Sequence, residues 1–286
     1  MKRIIAVIVA CVILVAGLGI VGYPFISNYL MSQNLDSEVQ TYLNTVEDTN
    51  KTDIEKELKR AKEYNKSLLG NVSINDPFAE NKAANKDYYD IINLDGTSVM
   101  ACVEIPAINV KYPVYHGTST KVLEKGVGHL QSSSLPVGGK GSHAVLTGHT
   151  GVSNLRIFTD LEKLKKGDMF YIYVLDQTLA YKVDNIAVVE PTDTSLLKID
   201  ENKDYVTLVT CTPYGINSHR LLVRGTAVPY SAEQAKAEAE KTTGSAYNDQ
   251  YLFAILVGAC VLVGILLIYF ITRAVTKKVR KSKDND

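Results

Sequence analysis

Residues 206–215 read VTLVTCTPYG and end on Cys211 and a turn, and residues 220–225 read RLLVRG and open with Arg220. A β-branched, apolar run that stops at Thr-Pro-Tyr-Gly is typical of a strand ending at a sheet rim. If the two runs pair as a hairpin, Cys211 and Arg220 lie side by side at its turn end. A cation beside a thiol lowers the pKa of the thiol and favours the nucleophilic thiolate. The pair therefore indicates a reactive site with Cys211 as the nucleophile.

The surrounding chain is mainly β in character. Short β-type runs separated by turn signals cover residues 99–105, 108–115, 144–146, 169–175, 179–189, 205–211 and 220–228. Short helical patterns lie near residues 119–124, 154–164 and 194–199. Many short strands with few helices predict a closed or nearly closed β-barrel of about 150 residues.

Two apolar segments predict membrane spans. Residues 4–21 follow Lys2 and Arg3, and residues 251–272 form the second run. Each has the length of about 18–22 residues that a membrane-crossing helix needs. The first could be a cleaved signal peptide, but the absence of a clean cleavage site favours a retained anchor. Basic residues precede the first segment and follow the second. Basic flanks are expected on the cytoplasmic side, so we expect both termini in the cytoplasm and residues 27–248 outside the cell.

Composition excludes some classes of function. The 31 basic and 31 acidic residues balance, which gives no support for nucleic-acid binding. Cys11 and Cys260 fall in the predicted spans, so only Cys102 and Cys211 lie outside the membrane. Either these two form a disulfide or Cys211 is a free thiol, for which catalysis is the usual reason. No acidic cluster has the spacing of a calcium site, and we predict no metal and no cofactor.

A nucleophilic cysteine needs a proton acceptor or a cationic partner, and histidine suits that role near neutral pH. Five candidates exist: His116, His129, His143, His149 and His219. His149 is the strongest because it closes the run AVLTGHTG (residues 144–151), where a strand ends among glycines at a sheet rim. His219 adjoins Arg220 and is therefore expected on the opposite face of that strand.

These residues resemble the signature of the sortases, membrane-anchored cysteine transpeptidases of Gram-positive bacteria. The resemblance rests on TLVTC (residues 207–211), Arg220, and LTGH ending at His149. It continues through residues 128–130, 134–139, 157–161 and 165–168, and spans residues 70–230. It implies an eight-stranded sortase β-barrel in which His149, Cys211 and Arg220 are catalytic.

Two features resemble the class C, pilin-polymerising branch: the C-terminal span and the triplet Asp76, Pro77 and Phe78. The triplet is similar to the Asp-Pro-aromatic lid of that branch, which implies that Asp76 pairs with Arg220 and that Phe78 covers Cys211. The chain departs from the pattern at Phe78, where tryptophan is common, and at Thr150, where arginine often follows the histidine. The departures leave open the strength of the lid and the local substrate contacts.

The resemblance implies an enzyme that cleaves an LPXTG-like sorting signal between Thr and Gly. The Cys211 thiolate forms a thioester, Arg220 holds the oxyanion or the peptide, and His149, as imidazolium, protonates the leaving amine. The acyl group then passes to a lysine of a pilin subunit. Alternatives are a sortase that uses cell-wall peptide amines, a general cysteine peptidase, and a non-catalytic membrane-tethered assembly module with a Cys102–Cys211 disulfide.

The predicted organisation has seven segments. These are an N-terminal transmembrane anchor (1–23), a juxtamembrane helical region (24–70), a lid loop and lead-in (71–98), the catalytic barrel (99–230), a stalk (231–250), a C-terminal transmembrane helix (251–272) and a basic cytoplasmic tail (273–286).

Overall fold

The computed structural model describes residues 2–70, 74–79, 86–150 and 157–240, together with 256–258, 260–261, 263–264, 267–268 and 271–273. The chain divides into two compact units, residues 1–235 and 236–286. In the second unit the described residues are helical.

Eight strands form a closed barrel in the order β1-β2-β3-β4-β7-β8-β6-β5. Six of the eight strand pairs are antiparallel, and β2–β3 and β4–β7 are parallel. The predicted eight-stranded, mainly β barrel is therefore confirmed. The strands are β1 Val99–Ile105, β2 Val110–His116, β3 Val127–His129, β4 Ser142–Thr147, β5 Met169–Val174, β6 Gln177–Val189, β7 Asp204–Thr212 and β8 His219–Val228.

Strand β4 is buried along its whole length, and the middle parts of β7 (residues 206–211) and β8 (residues 221–223) are buried on both faces. On β7, Val206 and Leu208 point into the main core inside the barrel. Val209, on the alternate face, belongs to a separate outer cluster with Val145 of β4 and Leu222 of β8. The outer side of this wall is the place where the candidate site lies.

The described residues before the last strand include four α-helices: α1 Lys2–Asp48, α2 Lys51–Ser67, α3 Lys86–Asp90 and α4 Thr120–Leu123. Short 3-10 turns cover Pro106–Ile108, Leu161–Lys163 and Ser195–Leu197. The side chain of Asn50 accepts a hydrogen bond from the backbone amide of Asp53, which caps the start of α2. The helical patterns predicted near residues 119–124 and 194–199 correspond to α4 and to the 3-10 turn Ser195–Leu197.

Helix α1 packs against the barrel through Leu35, Val39 and Tyr42. The Tyr42 hydroxyl donates a hydrogen bond to the Met100 carbonyl (2.8 Å) and accepts one from the Leu175 amide (2.9 Å). One side chain therefore ties the helix to the backbone of β1 and to the β5–β6 turn.

In the part of the chain that the structure describes, no helix combines the length and the apolar character required to cross a bilayer. The predicted span 4–21 falls in α1, and most of the predicted span 251–272 lies outside the described residues. Both spans stay predictions.

Two expectations from the sequence are wrong. Strand β3 is missing from the predicted runs, and residues 108–109 belong to a turn before β2. Cys102 and Cys211 are both free thiols, so the disulfide-linked alternative fails. Cys102 is fully buried under α1 in a cluster with Val39 and Tyr115, which keeps its sulfur away from β7.

Candidate active site

Cys211 and Arg220 face each other across the β7–β8 hairpin, as the sequence predicts. They are direct partners in the antiparallel register. Because side chains alternate along a strand, Cys211 shares its face with Val209, and Arg220 shares its face with Leu222. Both groups therefore lie on the outer wall of the barrel, at its turn end.

The parallel pairing of β4 and β7 brings His149 to the same place. Thr147 is the partner of Val209, and the Gly148 amide donates to the Val209 carbonyl (3.1 Å). The buried Thr210 hydroxyl donates to the Gly148 carbonyl (2.7 Å). Continuing this register by two residues sets His149 beside Cys211.

Gly148 is needed for close packing at the end of β4. A Cβ atom there would lie 2.7 Å from side-chain atoms of Ile157 and Phe158. These residues hold the chain after His149, because the Phe158 amide donates to the His149 carbonyl (3.2 Å) and the Thr150 hydroxyl donates to the Phe158 carbonyl (3.2 Å). The glycine therefore allows Phe158 to lie against the end of β4 and to bond to the backbone of His149.

The segment that contains Asp76, Pro77 and Phe78 lies on this site. The Arg220 guanidinium donates from Nε to Asp76 Oδ1 (2.9 Å) and from Nη2 to Oδ2 (2.7 Å), a bidentate pair. The Phe78 ring centroid is 4.9 Å from Arg220 Cζ and 5.6 Å from the His149 ring centroid. Asp76 and Phe78 thus contact the two groups that flank Cys211.

The same segment is anchored at a second point. The Thr194 hydroxyl donates to the Ile74 carbonyl (2.9 Å). The side chains of Ile74 and Phe78 pack on the outer apolar cluster, whose buried members are Leu130, Val145, Leu197, Val209 and Leu222. Residues 74–78 therefore fill an apolar trough that leads along the outer wall to Cys211. Sequence reasoning missed Thr194 and Ile74, because neither belongs to a recognisable motif.

The pKa of Cys211 is raised, contrary to the expectation from its cationic neighbour. Burial is the largest cause because it disfavours the thiolate. The Arg220 charge opposes this effect, but the Asp76 carboxylate adds to it. With Asp76 on Arg220, the site favours the neutral thiol.

Burial also lowers the pKa of His149, and the negative charge of Glu124 partly opposes that shift. The imidazole is therefore held in its neutral form, whereas the sequence suggested imidazolium. Together the two shifts disfavour a thiolate–imidazolium pair while residues 74–78 are in place.

The other four histidines have structural contacts. His129 is fully buried, with Nε2 on the Ser134 carbonyl, and burial lowers its pKa to about 3. Nδ1 of His143 contacts the Lys198 carbonyl, and burial lowers the pKa of this histidine to about 4. Both ring nitrogens of His116 contact backbone carbonyls, and His219 Nε2 lies 3.2 Å from Glu190 at the surface. In the described parts of the chain no three potential ligands converge to hold a metal ion.

The known proteins that resemble this chain are sortases. A family profile described as the sortase domain matches residues 103–228. Sortase A of Bacillus anthracis is 28% identical over 235 residues, which cover 82% of this chain and 99% of that protein.

Solved structures give closer likenesses. Sortase C of Streptococcus pneumoniae, described with reference to pilin substrate specificity, is 43% identical to this chain, with a TM-score of 0.63. The match covers 68% of this chain and 98% of that structure. Sortase C-1 of Actinomyces oris is 48% identical with a TM-score of 0.60, over 63% of this chain and 99% of its own.

Proposed function

This chain belongs to the sortase family of cysteine transpeptidases, and from that premise we propose that it polymerises pilin subunits. It cleaves an LPXTG-like sorting signal between Thr and Gly and transfers the acyl group to a pilin lysine. The observation that carries the proposal is the placement of Asp76 and Phe78 on Arg220 and His149. The likeness to a sortase C described for pilin specificity supports the same assignment.

The apolar trough accounts for binding of the donor peptide. Residues 74–78 occupy it with two apolar side chains and one backbone carbonyl on the Thr194 hydroxyl. An extended Leu-Pro-containing segment offers the same groups, so it fits when residues 74–78 leave. In this proposal residues 74–78 are a lid that competes with the donor.

Acylation uses the three residues on the outer wall. The Cys211 thiolate attacks the threonine carbonyl carbon, and Arg220 donates hydrogen bonds to the oxyanion that develops. The C–N bond then breaks, and His149 gives its proton to the departing glycine amine. Arg220 becomes available for this task only when Asp76 releases its two donors.

Deacylation reverses the proton path. The thioester carbonyl is attacked by the uncharged amine of a pilin lysine, and neutral His149 accepts a proton from that amine. The C–S bond breaks, the new C–N bond is an isopeptide bond, and Cys211 leaves as thiolate. A growing covalent fibre results from repetition of the cycle.

Incubation of the purified full-length protein with one pilin that carries both a sorting signal and an acceptor lysine tests the proposal. We expect a ladder of covalent multimers with the wild type and no ladder with Cys211→Ala, since no thioester can form. Cys102→Ala is the matched control, because that thiol is buried away from the site, and it should keep the ladder.

Two results would contradict the proposal in different ways. Multimers made by Cys211→Ala would remove the thioester mechanism. Transfer of the acyl group to a cell-wall peptide amine, with no pilin ladder, would instead identify an anchoring sortase.

A further inference from the structure

Glu124 stands on the side of His149 that faces away from Cys211. Strand β4 lies between β7 and β3 in the barrel, and β3 pairs with it antiparallel through Gly128 and Thr147. Continuing that register by two residues sets Gly126 across from His149. Glu124 precedes Gly126 by two positions, at the end of α4.

A tight turn fixes this placement. The Glu124 amide donates to the Thr120 carbonyl (2.9 Å), and the Gly126 amide donates to the Val122 carbonyl (3.0 Å). A Cβ atom at Gly126 would lie 2.8 Å from the Tyr115 ring, so the turn packs directly on β2. The turn is therefore held against the barrel wall.

The Glu124 carboxylate is exposed, and within the described ranges it forms no ion pair. The adjacent Lys125 ammonium lies over the Tyr115 ring instead, 5.9 Å from its centroid. The charge of Glu124 favours protonation of the His149 imidazole and partly opposes the lowering of its pKa by burial. Among the described residues, Glu124 is thus a carboxylate without an ion-pair partner, two positions before the residue that lies across from His149.

The chemistry requires the acceptor amine to approach on this side. The donor peptide fills the trough along β7 and the β6–β7 connection, and His149 serves both the leaving amine and the entering amine. The entering amine must therefore take the place of the leaving group next to His149. A lysine acceptor arrives as an ammonium ion, whereas the leaving glycine is part of an uncharged amide.

We infer that Glu124 is an acceptor site, which binds the lysine ammonium ion beside the Cys211 thioester. This inference rests on the proposed transfer to lysine. From the bound ammonium one proton goes to bulk water, and the resulting amine forms the C–N bond. A second proton passes from that nitrogen to His149, the C–S bond breaks, and its electron pair returns to the Cys211 thiolate.

A competition between two nucleophiles tests the site in the full-length protein, with a sorting-signal peptide as donor. Nα-acetyl-lysine amide is cationic at neutral pH, whereas hydroxylamine is uncharged and reports on the thioester alone. We expect Glu124→Gln to lower the ratio of lysine product to hydroxamate about 1.5-fold to fivefold, the range expected for one solvent-exposed charge pair. Glu124→Lys should lower the ratio further, and salt should weaken the difference between wild type and Glu124→Gln.

Glu201→Gln is the matched control, because Glu201 is equally exposed but precedes β7 at the end remote from Cys211. Its ratio should equal that of the wild type. An unchanged ratio in Glu124→Gln, including a parallel fall of both products, would overturn the acceptor site. Absence of hydroxamate from the wild type would instead refute the thioester chemistry, while hydroxamate without any lysine product would overturn the lysine acceptor.

Discussion

The Asp76 carboxylate acts on the reaction in two ways at the level of single residues. It occupies both donor groups of Arg220 that could serve an oxyanion. Its charge also raises the pKa of Cys211, in the same direction as burial. The Asp76 side chain therefore blocks the hydrogen bonds that would stabilise an oxyanion and disfavours the nucleophilic thiolate.

Replacement of Asp76 should therefore activate the thiol. In Asp76→Ala the pKa of Cys211 falls, since the carboxylate is gone and the released segment buries the sulfur less. Labelling by a thiol reagent should shift to lower pH and accelerate about threefold to tenfold at neutral pH, because one pKa unit changes the thiolate fraction about tenfold. Stopped-flow labelling across pH measures both quantities. Phe78→Ala should also accelerate labelling.

Asp184→Ala is a suitable control for that experiment. Asp184 forms a similar bidentate pair with Arg224, four residues along β8 from Arg220 (Nε–Oδ1 and Nη2–Oδ2 both 3.0 Å). Its loss should leave the labelling profile of Cys211 in place. Equal labelling rates in the wild type and Asp76→Ala would show that residues 74–78 do not control the reactivity of Cys211.

The sequence correctly predicts that Arg220 lies beside Cys211, but it does not predict the direction in which the pKa of Cys211 shifts. A separation of nine positions between the end of one strand-like run and the start of the next predicts that Arg220 lies opposite the thiol. The sign of the pKa shift depends on burial of the sulfur and on the charge of Asp76, which is distant along the chain. No local pattern around Cys211 contains that information.

At the scale of elements, the β4–β7 ladder determines where the imidazole stands. The Thr210 side chain is 2% exposed, and its hydroxyl holds the last carbonyl before His149. Because β4 ends at Thr147, this bond extends the contact between the two strands beyond the regular ladder. It links the residue before the nucleophile to the residue before the base.

Loss of the Thr210 hydroxyl should make the position of His149 less fixed without altering the packing around residue 210. Thr210→Val keeps the β-branched form but leaves a buried carbonyl without its donor, at a cost of about 1–2 kcal/mol in the free energy of unfolding. We also expect slower thioester formation in single-turnover assays. Thr210→Ser, which keeps the hydroxyl, should recover most of the rate. A Val variant with wild-type stability and rate would show that the bond is dispensable.

Strand prediction succeeded where apolar residues alternate or run continuously, as in β5 to β8. It failed for β3, since three residues that include Gly128 carry no periodic signal. A Cβ atom at Gly128 would lie 2.5 Å from the Gly117 carbonyl, so this glycine belongs to a close strand contact rather than to a turn. The predicted helical region 24–70 does not show where one helix ends and the next begins, whereas in the structure Asn50 caps the start of α2.

At the scale of the whole molecule, we propose a two-pass membrane protein whose barrel lies outside the cell and whose termini are both cytoplasmic. The supporting features are the apolar segments 4–21 and 251–272 and their basic flanks. The substrates of the proposed reaction are surface proteins, which agrees with this arrangement.

Single cysteines test the topology. In a background in which the four native cysteines are replaced by alanine, Asn248→Cys should react with a membrane-impermeant thiol reagent on intact cells. Lys283→Cys should react only after the membrane is permeabilised, because the basic tail lies inside. Labelling of Lys283→Cys on intact cells would contradict the proposed orientation.

The parallel contact between β4 and β7 also governs when the enzyme acquires its reactivity. About half of the barrel sequence separates His149 from Cys211, and Arg220 follows on the last strand to be made. Such long-range pairing forms late, and synthesis proceeds from the N terminus. A nascent chain therefore lacks the arrangement of His149 and Arg220 around Cys211 until β8 pairs with β7.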